Sequence, residues 1–86
     1  MFLFYELQRY LYLKMDERIL KIAALIKKLR IEKGYGSHEF FAWDNKIPRV
    51  QYWRMEKGTN FTIRTLLRVL DAHNLSLKDF FEQLED

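Results

Sequence analysis

The sequence predicts an all-α fold, and three observations carry that expectation. Only three Gly and one Pro occur in 86 residues, too few for the many tight turns of an all-β chain. Apolar residues recur at spacings of three and four through Leu3, Leu7, Leu11, Met15, Ile19, Ile22, Ile26 and Leu29, which is a helical stripe. Helix-capping residues then stand where the later apolar stretches begin: Ser37, Thr62 and Ser76.

From Phe2 to Lys33 there is no Gly, Pro, Ser or Asn. This stretch is either one long helix or two with a joint near Met15, where Asp16 can cap the second and Glu17 lies in its first turn. Gly34 stops it after Lys33. A second helix runs from Ser37 to about Asn45, with Glu39 near its positive dipole end. Asn45-Lys46 forms a turn. Pro48 fits the first position of a third helix, 48–57, where its missing N–H costs nothing, and Gly58 ends it. Thr62 caps a fourth helix whose buried face is Leu66, Leu67, Val69 and Leu70, and Asn74 suits a left-handed end. Ser76-Leu77-Lys78-Asp79 resembles a capping box and opens a short last helix carrying Phe80, Phe81 and Leu84. Five helices are thus expected after Met15.

Composition narrows the function classes. A chain of 10.6 kDa makes one domain with one modest core. Hydrophobic residues at 49% and aromatic residues at 16% exclude disorder. The absence of cysteine excludes a disulfide scaffold, a Cys-ligated metal and thiol catalysis. No apolar run reaches the ~18–20 residues of a membrane span. The apolar opening is interrupted by Glu6, Arg9 and Lys14 and lacks a small-residue cleavage site, so it does not look like a signal peptide. A soluble cytoplasmic protein without a membrane partner is expected. The net charge of +3 hides an asymmetry: residues 27–68 hold ten Lys/Arg and four acids, whereas residues 71–86 hold five acids and one Lys. A basic middle with an acidic tail suits a polyanion docking on one part of the surface.

Two short helices joined by a tight turn and followed by a basic loop form a helix-turn-helix pattern, here Ser37 to Gly58. Around it stand Arg30 ahead of Lys33-Gly34, Ala42 inside the first motif helix, Ile47 at the turn and Glu56-Lys57-Gly58 at the end of the second. The tail Asn74-Leu75-Ser76-Leu77-Lys78-Asp79-Phe80-Phe81 completes the set. From about Ile26 to Leu84 the chain resembles the XRE family of lambda-repressor-like and Cro-like regulators. The resemblance implies a five-helix domain over residues 16–86, preceded by an apolar and helical extension over residues 1–15. It implies a close helix crossing at Ala42, inward-pointing Tyr52 and Met55, and a structural salt bridge between Arg30 and Glu56. The chain departs from the family at four places. Lys46 stands where Gly is common, Asn45 replaces an apolar residue, Pro48 replaces a Ser/Thr cap, and Gly36 is an extra residue. Trp43 is expected to fill the core space that Asn45 leaves.

A recognition helix reads base edges from its N-terminal half. The expected base-reading residues are therefore Arg49, Val50, Gln51 and Arg54, with Trp53 a further candidate. Arg pairs with guanine O6 and N7, Gln with adenine N6 and N7, and Val touches a thymine methyl. Phosphate contacts are expected from Ser37 and His38 at a helix N-terminus. The resemblance adds Lys57, Thr59, Asn60 and Arg64 as a backbone clamp. His38 and His73 lie far apart without Cys, so neither a metal nor a cofactor is expected. His73 is expected on the surface, complementing the dipole of the fourth helix. Ser37 and His38 lack an orienting third group, which argues against an enzyme.

The expected function is a sequence-specific DNA-binding transcriptional regulator, a repressor, acting as a homodimer on palindromic double-stranded DNA. Two rivals share the fold: an antitoxin that binds a toxin partner and represses its own operon, and a protein-interaction module that has lost DNA binding. Arg49, Gln51, Arg54 and Arg64 argue against the latter. Residues 2–14 carry more apolar surface than a small domain leaves in water. Either they precede a natural start at Met15, or they form a helix packing on the chain's own core or on a second subunit; the second subunit is the preferred expectation.

Overall fold

A computed structural model describes Glu6 and residues 16–84. Of the expected extension over residues 1–15, only Glu6 is among them; the rest lies outside the described residues. Five helices follow: α1 (Glu17–Glu32), α2 (His38–Asp44), α3 (Arg49–Lys57), α4 (Ile63–Ala72) and α5 (Leu77–Glu82).

Local chemistry starts each helix. Asp16 has extended backbone angles and accepts the Arg18 N–H at 2.8 Å, so α1 begins at Glu17 and no single helix runs through Asp16. The Arg18 guanidinium closes on the same carboxylate at 2.7 and 3.0 Å, and these bonds hold the Asp16 carboxyl down at about 2. Ser37 accepts the Glu39 and Phe40 N–H groups at 3.1 and 3.2 Å. Thr62 accepts that of Thr65 at 3.2 Å, and Ser76 that of Asp79 at 3.0 Å. Pro48 differs from expectation. Its ψ of 124° is extended, so it flanks α3 rather than opening it, and the helix begins at Arg49. A proline has no side-chain oxygen with which to cap, and none is used there.

Four helices end in one way. After α1, the Gly34 N–H bonds Ile31 O and the Tyr35 N–H bonds Arg30 O. The same pair of reversed bonds closes α2 at Lys46 and Ile47, α3 at Gly58 and Thr59, and α4 at Asn74 and Leu75. This closure needs a residue with positive φ. Gly34 and Gly58 supply it freely at 102° and 82°, Asn74 adopts 55°, and Lys46 is forced to 57°.

The core lies between α1, the α2–α3 pair and the last two helices. Ile26, Phe41, Ala42, Tyr52, Met55, Val69 and Phe80 are fully buried, with Leu66 and Leu70 nearly so. The α1 stripe is centred on Ala23, Ile26 and Arg30, with Ile19, Ile22 and Leu29 half-buried beside it. Leu67 turns outward, because the inward row of α4 is Leu66, Val69 and Leu70 and Leu67 lies about 100° away from Leu66 around the helix. Phe81 is likewise exposed while Phe80 plugs the core.

His73 is not a surface residue. Its ring is half-buried and stacks on Phe41, with centroids 5.1 Å apart and planes 15° apart. Burial, assisted by the nearby Lys33 charge, pushes its imidazole pKa down. Lys33 takes the role expected of the histidine: its Nζ donates to Ala72 O at the end of α4, at 2.9 Å.

Arg30 is the one buried cation among the described residues. Its Nε and Nη2 donate to the two carboxylate oxygens of Glu56 at 2.8 and 3.0 Å, and its Nη1 donates to Tyr35 O at 2.9 Å. The two side chains are only 6% and 8% exposed. The Tyr52 hydroxyl is buried beside them, and burial with the adjacent Glu56 carboxylate pushes its pKa up, so it stays neutral.

Two outcomes follow for stability. Glu56→Ala strands a buried guanidinium and should lower the unfolding free energy by about 3–5 kcal/mol, against under about 1 kcal/mol for an exposed pair. Chemical denaturation measures this directly, and a loss within the lower range would mean that water reaches the pair. Lys46→Gly removes a left-handed non-glycine residue whose conformation costs about 1–2 kcal/mol, partly offset by about 0.5–1 kcal/mol of added unfolded-state entropy. Its melting temperature should rise by a few degrees; a fall would show that the Lys46 side chain contributes more than the backbone strain.

Candidate nucleic-acid interface

The motif helices are held from inside. Ala42 is fully buried at their crossing, Ile47 is nearly so at the turn, and Tyr52 and Met55 anchor α3. Trp43 does not fill the space left by Asn45: it is 80% exposed. Asn45 Nδ2 instead donates to Phe41 O at 2.9 Å, adding a second bond to a carbonyl that already accepts the Asn45 backbone N–H at 3.1 Å.

With Tyr52 and Met55 inward, α3 presents Arg49, Val50, Gln51, Trp53, Arg54 and Lys57 outward. A shallow groove flanks this stripe on each side. One, of about 420 Å3, brings Gln51 and Arg54 together with Asn60, Arg64 and Arg68. No carboxylate lines it, so three guanidinium groups set its potential. The other, of about 320 Å3, is lined by His38, Glu39, Arg49, Val50 and Trp53. Here Arg49 Nη1 stands 3.3 Å from Glu39 Oε2, an exposed ion pair across the two motif helices. The Lys57 ammonium lies 5.7 Å from the centre of the Trp53 ring.

The structure therefore joins Gln51, Arg54, Asn60 and Arg64 along one groove and His38, Arg49, Val50 and Trp53 along the other. Ser37 is exposed at the α2 N-terminus; its oxygen accepts two N–H groups while its hydroxyl hydrogen remains available. Lys57 is exposed at the end of α3. Thr59 is less suited to hold a phosphate, because both its N–H and its hydroxyl donate to Arg54 O, at 3.1 and 2.9 Å. Gln51 is partly engaged, accepting from the Thr65 hydroxyl at 3.3 Å, which orients its amide.

Two charged groove residues, Arg68 and Glu39, are not among the contacts expected from the sequence. Arg68 carried a signal, since it follows Arg64 by four residues and shares its helix face. Glu39 carried none, because its pairing with Arg49 depends on how α2 crosses α3. Among the described residues no cluster of three His, Asp or Glu side chains is arranged to hold a metal ion, and no helix is long and apolar enough to cross a membrane.

No protein-family model matches the chain, and no curated protein matches it. Solved structures do. The wild-type restriction-modification controller protein C.Esp1396I superposes with a TM-score of 0.63 at 31% identity, over 74% of this chain and 83% of that one. The same controller protein bound to a 19 base pair DNA duplex gives a TM-score of 0.64 at 31% identity, covering 74% and 85% of the two chains. Bound to a 25 base pair operator site it gives 0.62, again at 31% identity, covering 74% and 84%. That identity extends over most of both chains and falls on the same five-helix arrangement, so the chain belongs to the XRE family of lambda-repressor-like helix-turn-helix DNA-binding proteins, together with this controller protein.

Proposed function

We propose that this chain is a transcriptional regulator, a repressor, that binds double-stranded DNA and reads the major groove with α3. The observation that carries the reading is the outward face of α3. Arg49, Val50, Gln51 and Arg54 stand free of the core, and Gln51 and Arg54 share a groove with Arg64 and Arg68 that no carboxylate lines. A relative 31% identical has been solved on a duplex and on an operator site. In this reading Arg49, Val50, Gln51 and Arg54 meet base edges, with Trp53 beside them. Ser37, His38, Lys57, Asn60, Arg64 and the added Arg68 meet phosphates.

The regulator acts as a homodimer on a two-fold symmetric site. The duplexes bound by the relative, 19 and 25 base pairs long, span about two helical turns or more. That is room for two recognition helices about 34 Å apart.

Binding should be strongly salt dependent, since each displaced counterion contributes about −0.9 to the slope of log affinity against log salt. Arg64→Ala should weaken all sequences alike and flatten the slope by roughly one unit. A slope near zero for the intact protein would sink the DNA reading. On the base-reading face, Arg54→Ala should relax sequence choice at one position and cost about 1–3 kcal/mol against the preferred base. Gln51→Ala should act at a neighbouring position. Competition binding against random duplexes separates this from a phosphate role: equal losses on specific and random DNA would show that the helix does not read bases there.

A further inference from the structure

We infer that Arg49, Val50 and Trp53 form a reader for the C5-methyl group of a pyrimidine lying next to a guanine, so that the chain distinguishes methylated from unmethylated pyrimidines in its site. The inference rests on the DNA-reading role of α3 proposed above. Arg49 and Trp53 are four residues apart and Val50 and Trp53 three, so all three side chains share one face of α3. That face lines the 320 Å3 groove with His38 and Glu39. Val50 is 53% and Trp53 43% exposed, two apolar groups on an otherwise polar stripe.

Glu39 determines where the guanidinium sits. By pairing with Arg49 Nη1 at 3.3 Å it draws that side chain over the same groove, away from Gln51 and Arg54 on the opposite flank. The fork of an arginine matches guanine O6 and N7. The apolar pair beside it then faces a neighbouring base pair, and in the major groove the methyl on pyrimidine C5 is the apolar feature a base offers. Thymine carries that methyl, and 5-methylcytosine carries it at the same ring position. Unmethylated cytosine lacks that methyl and offers Val50 and Trp53 no apolar group at C5.

The test uses the full chain and duplexes it enriches from a pool with a randomised core of about 20 base pairs, two helical turns. Each thymine of the enriched site is replaced in turn by deoxyuridine, which removes only the methyl, and binding is followed by fluorescence anisotropy. One thymine per half-site, adjacent to a guanine, should lose about fourfold in affinity on this change, the equivalent of about 0.8 kcal/mol for one buried carbon. A C·G pair placed there should bind more weakly than T·A, and methylation of that cytosine at C5 should recover about fourfold. In the double variant Val50→Ala, Trp53→Ala the thymine-to-deoxyuridine ratio should approach one. Specific binding in which deoxyuridine equals thymine at every position would overturn the inference while leaving the DNA reading intact. So would a preference for cytosine that methylation does not change, which would assign the contact to Glu39 accepting from the cytosine amino group. Failure to enrich any sequence would overturn both readings together.

Discussion

Arg30 sits where three parts of the chain meet, and its guanidinium determines how they are oriented. Two of its nitrogens hold the carboxylate of Glu56 near the end of α3, and a third holds the Tyr35 carbonyl just beyond α1. Two apolar side chains of similar volume would bury comparable area, and such replacements are often no less stable. They would not impose direction. The planar fork accepts a carboxylate in one alignment, so the pair fixes the rotation of α3 about its own axis as well as its distance from α1. That rotation decides whether Arg49, Gln51 and Arg54 face outward together or one of them turns into the core. The buried charge is in this sense part of the surface site, although it touches nothing bound there.

The helix ends impose a second constraint. Four successive helices close with the same reversed bonds, and each closure spends one residue of positive φ to turn the chain back across the core. Three of those turns use Gly34, Gly58 and Asn74, residue types suited to that conformation. The fourth, inside the helix-turn-helix, uses Lys46. The next residue, Ile47, is driven into the core and holds the turn from below. Strain at Lys46 is therefore balanced by apolar burial one residue on, and the Asn45 side-chain amide adds a second bond to Phe41 O at the same end of α2.

What was legible in the sequence was what depends on local chemistry. Asp16, Ser37, Thr62 and Ser76 each accept a backbone N–H two or three residues ahead, and Gly34, Gly58 and Asn74 each end a helix; such features depend on neighbours along the chain and can be read from it. Arg30 and Glu56 are 26 residues apart and were paired through the family resemblance, not through spacing. The misplacements share the opposite character. Trp43 and Leu67 are as apolar as the residues that are buried beside them, and only the crossing angles of the helices decide which member turns inward. His73 lies at a helix end, as a dipole-complementing residue would, yet the face of Phe41 takes its ring and Lys33 takes its electrostatic role. At the site, the outward residues of α3 followed from the helical period once Tyr52 and Met55 were placed inside. The division into two grooves did not, because it needs the positions of α2 and α4 relative to α3.

That division gives the two flanks of α3 different chemistry. On one side Arg54, Arg64 and Arg68 face a common space with Gln51, and no acid interrupts them. Positive potential there attracts and aligns a phosphate backbone whatever its sequence. On the other side the one nearby arginine is already paired with Glu39, and its neighbours are Val50 and Trp53. Net potential is lower on that flank, and what remains is shape, an apolar surface and a single oriented fork. An interface that concentrates its charge on one flank and its apolar groups on the other separates holding from discriminating. Changes on the first flank act on all sequences, and changes on the second act on the choice between them. Both flanks depend on one helix of nine residues, whose rotation is set from behind by the buried Arg30–Glu56 pair.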